Sequence, residues 1–372
     1  LPILHRADML ALLMTEYRGI AISGTHGKTT TTALMGWVLE SAGFDPTIIN
    51  GGVMNTWESN VKVGQGRWCV AEADESDGSF LKLPCEIALV TNIDPEHMDH
   101  YECLEKLYDA FETFTTQFLS GGVAILGIDH PQVYALWQKI KLRQRCVTYG
   151  LHLEADVRAE NIRMTKKGVV FDLINGKTHS QMSLALFGHH NVLNALGVAA
   201  AAFEEGIKED LLQKAFASFA GVQRRFTHVG DWQGVSIIDD YAHHPVEIRA
   251  TLAAAKDATT GRVIAVLEPH RYSRLTHQFQ DFATCCEGAD LTIVLPVYAA
   301  REVPREGINH EVLAKAMKGE VYWCDRHEEL PQLVQNLARS GDMVVCLGAG
   351  SISATARALP MQLNQTYHRT RI

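Results

Sequence analysis

No C-x-x-C pair occurs among the eight cysteines, Cys69, Cys85, Cys103, Cys146, Cys285, Cys286, Cys324 and Cys346. A chain of 372 residues can build its own core without staples, so these read as buried thiols of a reducing cytosol and not as a disulfide framework. Long apolar runs are missing too: the richest, around residues 192–203, falls short of the roughly 20 residues a bilayer demands. A basic stretch is also absent. Lys and Arg number 34 against 43 Asp and Glu, a net charge of −9, which argues against nucleic acid held by phosphate contacts. The opening residues LPILHRADML carry neither a basic n-region nor a cleavage site, so no signal peptide is expected. They also lack an initiator Met, and the chain reads as a fragment. Internal repeats and low-complexity linkers are absent. What remains is a cytoplasmic globular chain with neither a nucleic-acid nor a membrane partner, and its length suggests two or three domains.

What is present changes style along the chain. Residues 19–23, 68–73, 87–93 and 123–126 are short apolar runs with strand character, and 29–42 and 103–118 carry apolar residues at helical spacing. That alternation predicts a mostly parallel, doubly wound sheet. Between 146 and 187, two runs at 168–174 and 181–187 flank Asn175-Gly176, a pair suited to a hairpin turn with a few further loop residues. They are expected to add an antiparallel edge to the first sheet. Helical stretches at 191–206 and 208–219 close that domain. From about residue 221 a second α/β region begins, with strands expected at 235–239, 263–268, 291–295 and 343–347.

The strongest chemical signal lies at residues 19–32, GIAISGTHGKTTTT. An apolar strand runs into Gly24, Thr25, His26, Gly27, Lys28, Thr29 and Thr30, with a helix pattern directly behind. Glycines let backbone N–H groups turn toward phosphate oxygens, and a helix N-terminus adds positive potential. Lys28 can then reach the β- and γ-phosphates, and the Thr29 hydroxyl can ligate Mg²⁺. The general phosphate loop has a glycine where this chain has Ile22, so the loop is a variant.

Two acidic strand ends share that rim in a parallel sheet: 72–77, EADESD, and 92–100, NIDPEHMDH. Glu72 is the first choice for Mg²⁺ and His97 the second, although imidazole is an unusual ligand for so hard a cation. Asp74, Glu75 and Asp77 read as solvated loop charges. A zinc hydrolase could use the histidines His97, His100, His189, His190, His243 and His244, but no H-E-x-x-H or similar spacing supports it.

The second half supplies further polar groups. Asn191 and Asn194 lie one turn apart at a helix start, where they either read a base edge or cap the helix. Arg225 sits near the domain junction, where it either meets the γ-phosphate on closure or forms a surface ion pair. Asp239–His244 (DDYAHH) and 269–274 (PHRYSR) follow strands on one rim, and their Asp, His and Arg content implies a ligand bearing a carboxylate. Residues 348–351, GAGS, resemble half of a dinucleotide fingerprint but lack the third glycine; a plain strand–turn–helix is the simpler reading.

In order, ISGTHGKTTTT, EADESDGSF, VTNIDPEHMDHY, FGHHNVLNA, GVQRRF, DDYAHHP and PHRYSR resemble the motifs of the Mur ligases, which use ATP to build the peptidoglycan stem peptide on a UDP-sugar. The likeness is strongest to the members that join L-alanine to UDP-N-acetylmuramate, and it spans essentially the whole chain. It implies a central P-loop-type domain at 19–220 and a C-terminal Rossmann-like α/β domain at 221–372. Residues 1–18 would be the remnant of an N-terminal UDP-binding domain, whose loss is expected to impair activity. The resemblance further implies ATP and Mg²⁺ as cofactors and an acyl-phosphate intermediate. It places Gly24–Thr30 and Arg225 on phosphate, Thr29, Glu72 and His97 on the metal, and Asn191 and Asn194 on adenine. Lys28, His97 and Arg225 become the catalytic set, and Asp240 a ribose or phosphate contact. His243, Arg271 and Arg274 would hold the incoming amino acid, with Tyr241 closing a small pocket. Two other readings stand beside this one: a recycling ligase that attaches a tripeptide to the same sugar, and a nucleotide-binding fragment without catalysis. Ser76, where the recycling ligases usually carry Tyr, favours the alanine enzyme.

Overall fold

The computed structural model describes residues 3–118 and 121–369. They form two compact units, Leu1–Val222 and Gln223–Ile372.

The first unit is built on a ten-stranded sheet: β1 (Arg18–Ser23), β2 (Thr47–Met54), β3 (Ser59–Lys62), β4 (Trp68–Glu72), β5 (Ile87–Val90), β6 (Val123–Gly127), β7 (Cys146–Gly150), β8 (Val157–Thr165), β9 (Gly168–Asn175) and β10 (Thr178–Leu184). Its order is β10-β9-β8-β7-β6-β5-β1-β4-β2-β3. The pairs from β2 through β8 are parallel, while β3, β9 and β10 attach antiparallel at the two edges. Helices α1 (Arg6–Met14), α2 (Lys28–Ser41), α3 (Met98–Tyr101), α4 (Leu104–Phe114), α5 (Pro131–Ile140), α6 (His189–Glu204) and α7 (Glu209–Ser218) cover it. Strand alternation explains the two layers. On β1, Ile20 and Ile22 enter one core with Leu34, Val38 and Val198, while Ala21 enters the other with Phe111 and Val133. With both faces covered, β1 must be apolar throughout, and that makes it legible as a run.

The sequence misplaces one strand. The hairpin partner expected at 181–187 is β10, Thr178–Leu184, because Asn175 pairs directly with Thr178 across a two-residue turn. Gly176, at φ +59°, closes that turn with no spare loop residues. Strands β2, β3, β7 and β8 of this sheet go unmarked in the sequence. β2 is broken by Gly51-Gly52, and β8 carries polar residues on its exposed side, so neither shows as an apolar run.

The second unit holds a six-stranded sheet of order β11-β12-β16-β13-β14-β15. Its strands are β11 (Thr227–Trp232), β12 (Val235–Asp240), β13 (Val263–Leu267), β14 (Leu291–Val294), β15 (Val321–Trp323) and β16 (Met343–Leu347). Only β11 pairs antiparallel. Helices α8 (Pro245–Ala258), α9 (Tyr272–His277), α10 (Phe279–Thr284), α11 (His310–Ala316), α12 (Leu330–Leu337) and α13 (Ile352–Arg369) surround it. Among the described residues no helix is long and apolar enough to cross a membrane, and all eight cysteines are free thiols. Burial pushes the Cys69 and Cys85 thiols up to about 12, which keeps them inert.

Candidate active site

Residues 24–27 bridge β1 and α2. Gly24 (φ +129°) and Gly27 (φ +86°) take backbone conformations that suit glycine, and a Cβ on Gly24 would meet Thr91 Oγ1 at 2.1 Å. The loop is clamped from β5. Thr25 N donates to Asn92 O at 3.0 Å, His26 N donates to Asn92 Oδ1 at 2.7 Å, and His26 O accepts from Thr91 Oγ1 at 2.7 Å and Asn92 Nδ2 at 3.0 Å. Helix α2 starts on Gly27 without a side-chain cap, so the polarity of its first turn remains available to an anion. Thr30 is buried within that turn.

Lys28 is folded back into this loop. Its Nζ donates to Gly24 O at 2.5 Å and Thr25 O at 3.1 Å, and pairs with Glu75 at 2.8–2.9 Å. Glu75 is therefore no solvated loop charge. It is buried to 1% exposure, with Tyr101 Oη donating to its backbone carbonyl at 2.5 Å. Burial raises its carboxyl above the usual range while the Lys28 ammonium pulls it down. Its neighbours do behave as loop residues: Asp74 accepts from Ser76 N and Asp77 from Ser79 N, fixing two turns. No spacing separates Glu75 from that acidic run; only β4 lying beside β1 brings it to the lysine.

Thr29 and Glu72 meet as the sequence expects, with Thr29 Oγ1 donating to Glu72 Oε1 at 3.2 Å. The other Glu72 oxygen accepts from Gly51 N on β2 at 2.8 Å. A hydroxyl and a carboxylate are hard oxygen donors, the type a magnesium ion takes. His97 opens α3 at φ +59°, with Nε2 3.7 Å from Glu75 Oε1 and 3.6 Å from Glu96 Oε2. Among the described residues no three His, Cys, Asp or Glu side chains converge into a ready-made metal cage.

The asparagine pair is neither a cap nor remote from the loop. Helix α6 takes Gly188 as its N-cap, and Asn191 Nδ2 donates backward to Phe187 O at 2.8 Å. Asn194 Nδ2 donates to Asn191 Oδ1 at 3.1 Å. Both are buried, and a Cβ placed on Gly27 would meet Asn194 Oδ1 at 2.6 Å. The pair lies against the end of the phosphate loop.

In the second unit, the rim after β12 and β13 gathers the other expected residues. Both Asp240 oxygens are engaged inside the protein: one by Phe226 N at 2.7 Å, the other by Ala242 N at 2.8 Å and Thr251 Oγ1 at 3.2 Å. Burial raises its carboxyl, and the Arg225 charge counteracts this. Arg224 and Arg225 lie over the Tyr241 ring at 4.6 and 5.3 Å. A chain of rings continues from Tyr241 through His243 and His270 to Tyr298, with centroids 5.1–5.6 Å apart. His243 Nδ1 is 3.0 Å from Tyr241 O and 3.4 Å from Glu247, which also forms the capping box of α8 with His244. His270 stands out in the sequence only as part of the PHRYSR segment, yet it is the most perturbed imidazole of this rim. Burial first, then His243 and the guanidiniums of Arg274 and Arg271, pushes it down to about 4. Arg271 stands at φ +71° as the N-cap of α9, and Arg274 one turn on. Two guanidiniums around a neutral imidazole suit a bound carboxylate.

Comparison with known proteins bears on the whole chain. Residues 22–202 match the Mur ligase middle domain and 224–350 the Mur ligase, glutamate ligase domain. A UDP-N-acetylmuramate–L-alanine ligase from Rhodospirillum rubrum is 48% identical over 382 residues, covering 100% of this chain and 79% of that protein. The structure of a UDP-N-acetylmuramate–alanine ligase from Thermotoga maritima superposes with a TM-score of 0.80 at 26% identity, over 98% of this chain and 78% of the other. A MurF ligase of Thermotoga maritima in complex with ADP shares the fold, with a TM-score of 0.75 at 16% identity over 100% of this chain and 86% of that one. Sequence, fold and the geometry of the loop agree, and the chain belongs to the Mur ligase family.

Proposed function

We propose that the chain is an ATP-dependent ligase joining L-alanine to the carboxyl group of UDP-N-acetylmuramate, acting in the cytoplasm in peptidoglycan synthesis. The observation that carries the phosphoryl-transfer half is Lys28, whose ammonium is lodged in the glycine loop beside the Thr29–Glu72 pair. The sugar's carboxylate oxygen forms a bond to the γ-phosphorus, the bond to the β–γ bridging oxygen breaks, and ADP leaves. The alanine amine then attacks the acyl carbon, loses a proton and expels inorganic phosphate, so one ATP is spent per amide bond.

Residues 19–220 serve the nucleotide in this reading and residues 221–372 the amino acid. Lys28 neutralises charge on the γ-phosphoryl oxygens, a task of positioning and electrostatics. The loop N–H groups and the α2 N-terminus hold the remaining phosphate oxygens. Thr29 Oγ1 and Glu72 would hold Mg²⁺, with His97 alongside. Bound there, the cation would offset the repulsion between the carboxylate nucleophile and ATP. Asn191 and Asn194 order the end of the loop next to Gly27. On the second unit, Arg271 and Arg274 fork onto the alanine carboxylate, and His243 and Tyr241 line the side of the amino acid.

Phosphate release with ATP, Mg²⁺ and UDP-N-acetylmuramate tests the proposal when single amino acids are added in turn. L-Alanine is expected to drive release and form an amide product. Release without any amino acid, or only with a tripeptide, overturns it, and the latter transfers the chain to the recycling ligases.

A further inference from the structure

Beside the glycine loop, two histidines share one carboxylate. His130 Nε2 lies 3.2 Å from Asp94 Oδ1, and His26 Nε2 lies 3.5 Å from Asp94 Oδ2. Ile93 N donates to His130 Nδ1 at 3.5 Å. With Nδ1 accepting, Nε2 carries the proton and donates to Asp94, so both ring nitrogens assign the same neutral tautomer. Asp94 is tied to the loop a second way, since its N–H donates to Thr25 Oγ1 at 2.8 Å. The three residues stand on three neighbouring loops. The strand order β6-β5-β1 sets side by side the loops that follow those strands; His26 lies on the loop after β1, Asp94 on the one after β5, and His130 caps α5 after β6. None of the three loops is covalently close to another. The carboxylate bridges them, and the middle loop also carries His97.

We propose that His130 is a positioning residue for the nucleotide: through Asp94 it braces His26 and with it the geometry of the phosphate loop. This rests on the reading of residues 24–29 as the nucleotide site. His130 reaches the loop through Asp94 and the adjacent Ile93 N–H, so its removal loosens the loop without removing any group assigned to phosphate.

The test compares the full chain with His130→Ala and His130→Gln in fluorescence titrations with ADP and Mg²⁺, and in alanine-driven phosphate release. Gln can place an N–H near the position of the imidazole Nε2 and so keep the hydrogen bond to Asp94. His130→Ala is expected to weaken nucleotide binding about three- to tenfold, the scale of one hydrogen bond's net contribution. KM for ATP rises to match, while kcat and the KM for alanine stay within about twofold. His130→Gln recovers most of the affinity. Parent-like affinity in His130→Ala overturns the proposal. So does a Gln variant no better than Ala, and so does a uniform loss in every constant together with a fallen Tm. Lys28→Ala is run alongside: if it binds nucleotide as well as the parent, the underlying site assignment fails rather than the brace.

Discussion

Two of the strand–turn–helix junctions in this chain that use glycines end in opposite electrostatic states. Gly24–Gly27 leads β1 into α2, and Gly348–Gly350 leads β16 into α13. At the first, no side chain caps the helix, and the acids from the neighbouring strand β4 turn to other partners: Glu72 to Thr29 and Glu75 to Lys28. At the second, the acid at the end of neighbouring β13 enters the helix start itself. Glu268 is fully buried, accepts from Ile352 N at 3.2 Å and Ser351 Oγ at 2.5 Å, and lies 3.2 Å from His327 Nε2. A helix N-terminus can neutralise one anion. In the second unit the protein supplies that anion, and in the first a lysine stands beside an uncapped helix start. Half a fingerprint is therefore an internal brace, while the variant loop keeps the uncapped helix start and the lysine that the proposed nucleotide site calls for.

The largest break in this comparison comes from Lys28. Lys28→Ala should lower alanine-driven phosphate release by about a hundredfold to a thousandfold, the usual loss for one preorganised charge at a reacting oxygen. Calorimetry should find the fold intact. Activity within a few-fold of the parent would mean that the first junction is no more a phosphate site than the second.

Glu75 comes next. Lys28 and Glu75 are 14% and 2% exposed at their side chains, and removing one partner of a buried pair leaves a charge uncompensated. Glu75→Ala should cost about 3 kcal/mol in urea unfolding, with the isosteric Glu75→Gln costing less. A parent-like midpoint for the alanine variant would show that the two carbonyls alone hold the ammonium.

The third effect lies on the second unit and depends on pH. His270 is pushed down to about 4 in the folded protein from an ordinary value of 6.5. Between those values the unfolded chain binds the extra proton, so stability rises with pH there. The contribution is complete above pH 6.5 and is lost as pH falls toward 4. His270→Gln should flatten the acid limb by about 1–2 kcal/mol, allowing for solvent screening of a ring that is only partly buried. Parallel pH–stability curves for parent and variant would show that the imidazole is not held neutral.

Chemistry carried by one continuous segment is legible in the sequence, and chemistry assembled by strand order is legible only in part. The Gly24–Thr29 loop can be read because strand, turn and helix follow one another, and Thr29 and Glu72, each expected at the metal, lie within hydrogen-bond reach because parallel strand ends share a rim. In the sequence Glu75 reads as one of several loose acids, because its partner Lys28 lies 47 residues away across the β1–β4 pair. The Asp94–His130 contact spans 36 residues and depends on β5 lying beside β6. The plugging acid Glu268 is likewise 84 residues from Ile352. Covered central strands announce themselves as apolar runs, whereas β8 and β3 at or near the edge alternate with polar residues and do not.

The smallest predicted effect bears most directly on the contrast between the junctions. Glu268→Gln keeps an oxygen for Ile352 N and Ser351 but removes the charge from the start of α13. The cost expected for a charge at a helix N-terminus is about 1 kcal/mol, read as a small shift in the unfolding midpoint. Nucleotide affinity should not move, because that variant alters only the second unit's junction. The carboxamide still fills the space between β13 and α13, so no dinucleotide or phosphate should bind there either. A gain of phosphate binding in Glu268→Gln, seen as protection against unfolding by added phosphate, would mean that Glu268 was masking a competent anion site. The difference between the two junctions would then be a single carboxylate and not the lysine, the loop and the clamps of β5 acting together.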